Sequence, residues 1–303
     1  MRYFGKNIKL IVNSLMISYT DAGPDDAPVI IFIHGFPLNK SMWNKQIEAL
    51  MENYRVIAYD IRGHGDSEME SEQFSIDLFV NDLLSFMDVL KIDKASLCGL
   101  SMGGYIALKA IKRNPLRFES LVLADTTCIA DQPETIVKRK NAIKSIKEEG
   151  VVQYAEESVK SLFAPESLTR KLVEIAAVKE MIISTQDESI CQTLHALCVR
   201  EETCDFLSSI KMPVLVLVGE YDKITPPIAA AFIHKNIAGS KMFIIDHAGH
   251  LSNLENPDNF NERLNAFFAT VYLKPEIVDP EIYNSFVRKM AKQLNMFWTS
   301  IWI

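Results

Sequence analysis

The chain has 303 residues, 48% of them hydrophobic and 23% charged, with a formal net charge of −7. That length accommodates one large α/β domain with an insertion, or two small domains, and the composition is that of an ordinary globular protein. The acidic balance excludes the basic footprint of a nucleic-acid binder, and no apolar run of about 18 residues is present to cross a bilayer as a helix.

The segment Met1–Lys6 lacks the continuous apolar run of a secretory signal. The β-branched stretches Ile8–Val12 and Leu15–Thr20 then read as a hairpin turning at Asn13-Ser14. Val29–Ile33 is an unbroken apolar run, the signature of a strand buried on both faces. A helix is expected over Ser41–Met51, a strand over Arg55–Tyr59, and an amphipathic helix over Ser75–Leu90, where Phe79, Leu83, Phe86, Met87 and Leu90 recur at helical spacing. Ala95–Cys98 and Ser120–Ala124 read as further strands, separated by a helix through Tyr105–Ala110. From Thr127 to Ile210 the signals are helical, with no convincing strand. Strand–helix alternation resumes at Pro213–Gly219 and continues through Lys241–Asp246 and a helix from Pro257 to Ala269. This pattern predicts a parallel sheet covered by helices, interrupted by a helical insertion. A last helix is expected over Pro280–Leu294, followed by the strongly apolar end Met296–Ile303.

The chemistry concentrates at Gly99-Leu100-Ser101-Met102-Gly103, a Gly-x-Ser-x-Gly pentapeptide between a strand and a helix. A serine there sits on a sharp turn with its hydroxyl exposed at the top of a sheet, and a Cβ on either flanking glycine would collide across the turn. A serine hydroxyl needs a base, and the base needs an orienting acid. Such groups gather at the carboxyl ends of parallel strands. Asp222 follows the Pro213–Gly219 strand, with Asp125 and Glu220 as rival acids. His250 and His247 both lie in the loop after the last strand, and the order Ser, Asp, His favours Asp222 with His250. Oxyanion donors are expected from the backbone N–H groups of Met102 and of Phe36, in the loop His34-Gly35-Phe36-Pro37. Five cysteines (Cys98, Cys128, Cys191, Cys198 and Cys204), with no Cys-x-x-Cys pair, favour reduced thiols in a cytoplasmic protein over a disulfide framework or a zinc site.

Together His34–Pro37, Asp60-Ile61-Arg62-Gly63-His64-Gly65-Asp66-Ser67, the turn at Ser101, Gly219–Asp222 and Gly249-His250 resemble the α/β-hydrolase superfamily over roughly residues 8 to 270. The resemblance implies an α/β-hydrolase fold: a mostly parallel eight-stranded sheet flanked by helices, with a helical cap inserted after the sixth strand. It implies Ser101 as nucleophile, Asp222 as acid and His250 as base, since the family's histidine follows a glycine. It leaves His64 and its segment a structural role. Within the superfamily the Ser101 region and Leu121–Thr126 are similar to 3-oxoadipate enol-lactonases, small carboxylesterases and cofactor-free perhydrolases.

The expected domains are a core of residues 1–126 and 211–272, a cap of residues 127–210, and an extension of residues 273–303 that offers a dimer or surface contact. The expected activity is hydrolysis of a small ester or lactone through an acyl-enzyme, with no cofactor and no metal. The alternatives are a perhydrolase or haloperoxidase-like enzyme, or a ligand sensor that retains the three residues. His34, Phe163, Met181 and Leu197 are the expected substrate contacts. An enol-lactone also requires a basic group at the pocket, for which Arg139, Lys160 and Arg200 are available.

Overall fold

The computed structural model describes residues 2–70 and 73–272, so the expected helix over Pro280–Leu294 and the apolar end lie outside the described residues. The chain divides into two compact units, Met1–Arg263 and Leu264–Ile303. The first holds the sheet and all of residues 127–210. Of the second, residues 264–272 are described, the end of a helix in which the Phe268 ring stacks on Tyr272.

Strands β1 (Arg2–Val12) and β2 (Leu15–Pro24) form the expected hairpin, longer than its apolar runs because backbone pairing continues past them to Arg2↔Pro24 across an irregularity at Gly5/Ile8. Strand β3 (Val29–Ile33) is followed by a 3-10 turn and helix α1 (Asn44–Leu50). That pair replaces the single helix expected from Ser41, because the Asn39 side chain accepts the Ser41 N–H and caps the 3-10 turn first. Then come β4 (Arg55–Tyr59), α2 (Ile76–Val89), β5 (Ala95–Leu100), α3 (Met102–Arg113) and β6 (Phe118–Ala124). Helix α2 starts where the Ser75 hydroxyl accepts the Leu78 N–H and buries Phe79, Leu83, Phe86 and Met87 of the face read from its spacing, while Leu90, the fifth, is half-buried at the C-terminal cap.

Five helices follow: α4 (Pro133–Glu149), α5 (Val151–Leu162), α6 (Ser167–Arg170), α7 (Leu172–Ile183) and α8 (Asp187–Cys198). Within this block α4 packs on α8, and α5 packs on α7. The chain then returns through β7 (Val214–Gly219), α9 (Pro227–Asn236), β8 (Lys241–Ile245), the short α10 (Ser252–Glu255) and α11 (Pro257–Tyr272).

The strands form one 8-stranded sheet in the order β1-β2-β4-β3-β5-β6-β7-β8, parallel from β4 to β8. The chain runs from β3 to β4 on one side and later enters β5 on the other. The carboxyl ends of β3 and β5 therefore flank the point where strand order reverses, the usual place for a site in an open parallel sheet. The Asp60–Ser67 loop after β4 is held by buried charge. Asp60 accepts from the Lys40 ammonium at 2.6 Å and from the Lys40 and Asp66 N–H groups, and Arg62 pairs with Asp82 through two hydrogen bonds. Among the described residues no helix is long and apolar enough to cross a membrane.

The cysteines depart from the expectation of reduced thiols. Cys128 and Cys204 form a disulfide across 76 residues, with Cα atoms 5.0 Å apart. Their spacing in sequence concealed the pairing. The chain leaves β6, builds the helical block and returns to β7, the next strand in the sheet, so the two ends of the block meet. The Thr203 N–H donates to the Cys128 carbonyl at 2.9 Å beside the bridge. With the disulfide goes one ground for placing the protein in the cytoplasm, where such bridges are rare.

Alkylation of the unreduced, denatured protein should label the three thiols of Cys98, Cys191 and Cys198, and all five cysteines after reduction. Reduction, or Cys128→Ser with Cys204→Ser, should lower the unfolding free energy in denaturant titrations by about 2–4 kcal/mol.

Candidate active site

Strand β5 is buried along its whole length and delivers Ser101 at its carboxyl end. Ser101 has φ 53° and ψ −112°, a left-handed backbone that costs a non-glycine residue about 1–3 kcal/mol. Hydrogen bonds fix it there. Its N–H donates to the Ala124 carbonyl at 3.0 Å, and its carbonyl accepts from the Gly104 N–H at 2.9 Å and from the Thr126 hydroxyl at 2.8 Å. A Cβ on Gly99 would lie 2.2 Å from the Gly103 carbonyl oxygen, and one on Gly103 would lie 2.1 Å from that of Ile33. The two glycines thus let the turn close and let α3 seat directly on β3.

The acid loop follows β7. Asp222 is buried and accepts from the Ile224 N–H at 2.8 Å, the Thr225 N–H at 3.0 Å and the Thr225 hydroxyl at 2.7 Å. Its Oδ2 also lies 2.9 Å from Nδ1 of His250. That contact assigns the proton of a neutral imidazole to Nδ1 and leaves Nε2 as the free base. Burial pushes the Asp222 carboxyl up, but the charge and hydrogen bond of His250 and the bonds from Thr225 outweigh it, and the group titrates below its ordinary value. Burial pushes His250 down. The Asp222 carboxylate beside it, helped by Asp125 and Glu255, reverses that and holds the imidazole above 6.5.

The rivals stand elsewhere. Asp125 is fully buried and accepts from the Gly219 N–H at 2.8 Å and from the Ser252 hydroxyl, so it anchors the loop that carries Asp222. Glu220 and His247 are exposed, and the Glu220 carboxylate accepts the His247 N–H at 3.1 Å.

Ser101 and His250 border one cavity of about 110 Å³. Phe36 and Met102 border it too, bringing the two expected oxyanion residues beside the serine. Met102 is the first residue of α3, so its N–H is one of the amides a helix leaves without an internal acceptor. The helical block contributes Arg139 from α4, Tyr154, Ser158 and Leu162 from α5, and Leu197 from α8.

Of the expected substrate contacts only Leu197 borders this cavity. His34 is fully buried, with Nδ1 against the Gly35 carbonyl and Nε2 against the Ile61 N–H, which occupies both ring nitrogens. Phe163 is buried where α5 ends, and Met181 lies on α7, none of whose residues borders the cavity. Lys160 is exposed and pairs with Glu157 at 2.7 Å.

Sequence reasoning missed Tyr105, which lies one helical turn after Ser101. Its phenol is beside the Ser101 hydroxyl, and the Arg200 guanidinium sits 4.3 Å from its ring centre. The i, i+4 spacing from Ser101 was the available signal. It also missed Thr225 and Glu255, for which the sequence carried none.

A family model described as alpha/beta hydrolase fold matches residues 28–257. The chain is 30% identical over 252 residues to 3-oxoadipate enol-lactonase 1 of Acinetobacter baylyi, covering 82% of this chain and 91% of that protein. Among solved structures, a thermophilic esterase from Thermogutta terrifontis, in a malate-bound form, superposes with a TM-score of 0.83 at 28% identity, covering 88% of this chain and all of that one (100%). The enol-lactonase of Burkholderia xenovorans LB400 gives a TM-score of 0.81 at 29% identity, covering 86% and 100%.

The His250 imidazole, followed by NMR, should titrate with a midpoint above 6.5. In Asp222→Asn the stabilising charge is gone while burial remains, so the midpoint should fall below that of the unsubstituted protein by about one unit or more.

Proposed function

The chain belongs to the alpha/beta-hydrolase fold family, and on that premise we propose that it is a serine hydrolase that cleaves a small carboxylic ester or lactone through an acyl-enzyme on Ser101. The observation that carries this reading is the buried Asp222–His250 pair, 2.9 Å apart, whose imidazole shares a cavity with Ser101.

His250 Nε2 takes the Ser101 proton as the hydroxyl oxygen attacks the substrate carbonyl. The oxyanion that forms is held by the Phe36 and Met102 N–H groups, an interaction for which loss of one donor typically costs about 2.7–4 kcal/mol. The tetrahedral species collapses, the ester or lactone C–O bond breaks, and His250 gives the proton to the departing oxygen. Water repeats the sequence on the acyl-enzyme, losing its proton to His250 and releasing the acid and free Ser101. Asp222 keeps Nδ1–H directed at itself throughout and stabilises the imidazolium in each step. In a lactone the departing oxygen stays attached to the acyl group, so one open-chain product leaves. The helices of residues 127–210 cap the cavity, exclude water and select the acyl group.

Arg139 supports a finer reading, a substrate that carries a carboxylate beside its scissile bond. Asp131 accepts from Arg139 Nε at 2.5 Å and from Arg200 Nη1, so two guanidiniums share one carboxylate and a positive charge is left over. Burial pushes Asp131 up, but the bonds and charges of the two arginines outweigh it, and it stays ionised well below neutral pH. Arg200 also donates from Nη1 to the Leu197 carbonyl and from Nη2 to the Ile129 carbonyl. Arg139 is the member that borders the Ser101 cavity, and among the described residues its Nη1 has no acceptor. A half-buried guanidinium with a free edge matches a carboxylate. The relatives agree with that chemistry: an enol-lactonase, and an esterase whose structure holds malate, a dicarboxylate.

Ser101→Ala should lower kcat/KM on p-nitrophenyl acetate and on simple lactones by about 10⁴-fold or more with unchanged melting behaviour. Residual turnover near the unsubstituted rate would rule out the acyl-enzyme. The unsubstituted protein should prefer a monoester of a short dicarboxylic acid to the corresponding neutral diester. Arg139→Gln should erode that preference by about ten- to a hundredfold, and Arg139→Lys should restore part of it.

A further inference from the structure

We propose that Glu255, on α10, is a positioning residue that couples the helical block to the His250 base. Its catalytic consequence rests on the serine-hydrolase reading above, whereas its structural content does not. Glu255 is 3% exposed, an uncommon setting for an acidic side chain five residues beyond the base. Its two carboxylate oxygens serve two different parts of the fold. Oε1 accepts the Gly249 N–H at 2.7 Å, immediately before His250, and Oε2 accepts the Ala164 N–H at 2.8 Å, just past the end of α5. The next amide completes the joint: the His250 N–H donates to the Leu162 carbonyl at 2.9 Å. The two backbones touch so closely that a Cβ on Gly249 would lie 2.6 Å from the Ala164 nitrogen.

Helix α5 also carries Tyr154, Ser158 and Leu162 into the Ser101 cavity. The segment that supplies the cavity wall and the segment that supplies the base are therefore held by one carboxylate and cannot shift independently. The other polar residues of α10 extend the joint. The Ser252 hydroxyl donates to Asp125, which holds Gly219 at the root of the Asp222 loop, and the Asn253 amide donates to the Met42 carbonyl at 2.9 Å. A four-residue helix thus ties base, acid loop and cavity wall to one another.

Glu255 also acts through charge. The groups that face His250 are Asp222 from the loop after β7, Asp125 after β6, and Glu255 from α10, all acidic. Ser167 and the Leu251 N–H also bond Glu255, and Lys45, Glu48, Lys171 and Asp258 border the groove outside it. Each acidic neighbour favours the imidazolium, so neutralising one lowers the pH at which His250 becomes a base.

The test compares Glu255→Gln and Glu255→Asp with the unsubstituted protein by two readouts. The first is amide hydrogen exchange by mass spectrometry over residues 160–170 and 246–252. Gln turns an amide NH₂ toward an N–H donor and breaks one arm of the bridge, so both segments should exchange faster together, while residues 29–33 and 95–100 keep their protection. Asp keeps the charge on a shorter arm that cannot span both donors, so it should lose protection as well. The second readout is the pH dependence of ester kcat/KM. Glu255→Gln should move the acid limb to lower pH by about 0.3–1 unit and reduce the plateau by about ten- to a hundredfold. Glu255→Asp should leave the limb near its original position. The proposal is overturned if exchange in the two segments is unchanged or altered in only one. It is equally overturned if activity falls in step with melting temperature while the acid limb stays put, the pattern of a plain scaffold residue. If the unsubstituted protein turns over no ester or lactone, it is the hydrolase reading that fails, and the exchange measurement still decides the bridge.

Discussion

The left-handed backbone at Ser101 is the constraint from which the rest of the site follows. A serine is held at φ 53° only because its N–H, its carbonyl and the glycines around it leave the turn no alternative. The strain lifts the hydroxyl out of the sheet and starts α3 directly behind it, placing the Met102 N–H and the helix N-terminus on the same side. Tyr105, one turn further on, then lies between the serine and the Arg200 guanidinium. The sheet order supplies the remainder. The loops after β3, β6, β7 and β8 all open at the same edge as the one after β5, so Ser101 shares that edge with the loops that carry Phe36, Asp125, Asp222 and His250.

Buried charge is the second organising feature, and it is arranged unevenly. Asp222 receives four hydrogen bonds and stays ionised, whereas Asp125 and Glu255 are pushed up by burial and serve mainly as acceptors for backbone N–H and hydroxyl groups. His250 stands among all three and is held above the ordinary imidazole value. Carboxylates of one chemical type thus divide the work of orienting His250 and of fixing the loops, and solvation by hydrogen bonds decides which does which. The cluster Arg139–Asp131–Arg200 inverts the pattern, leaving positive charge in excess at the cavity wall.

The helical block is where local signals were weakest. Helix α4 is mostly polar and buries only Ile146, so its sequence gives no face that points to a cavity, yet it supplies Arg139. Phe163 and Met181 are more apolar and looked better suited to line a pocket, but Phe163 is spent where α5 ends and Met181 sits on a helix away from the cavity. The disulfide and the Glu255 bridge were equally hidden, because each joins segments far apart in sequence: 76 residues separate the two cysteines.

The sequence by itself determined the alternation of strands and helices and the turn at Ser101. These depend on side-chain period and on sterics within a few residues, and both are local. Local order also narrowed the base and acid to short loops, since parallel strands end on one edge. Only the tertiary structure decided that Asp222 rather than Asp125 meets His250, that Cys128 finds Cys204, that Arg139 and not Lys160 reaches the cavity, and that Glu255 joins the Gly249-His250 loop to the end of α5. Each of those outcomes is a distance between groups far apart in the chain, fixed by how the helical block folds back over the sheet, and no pattern within one segment encodes it.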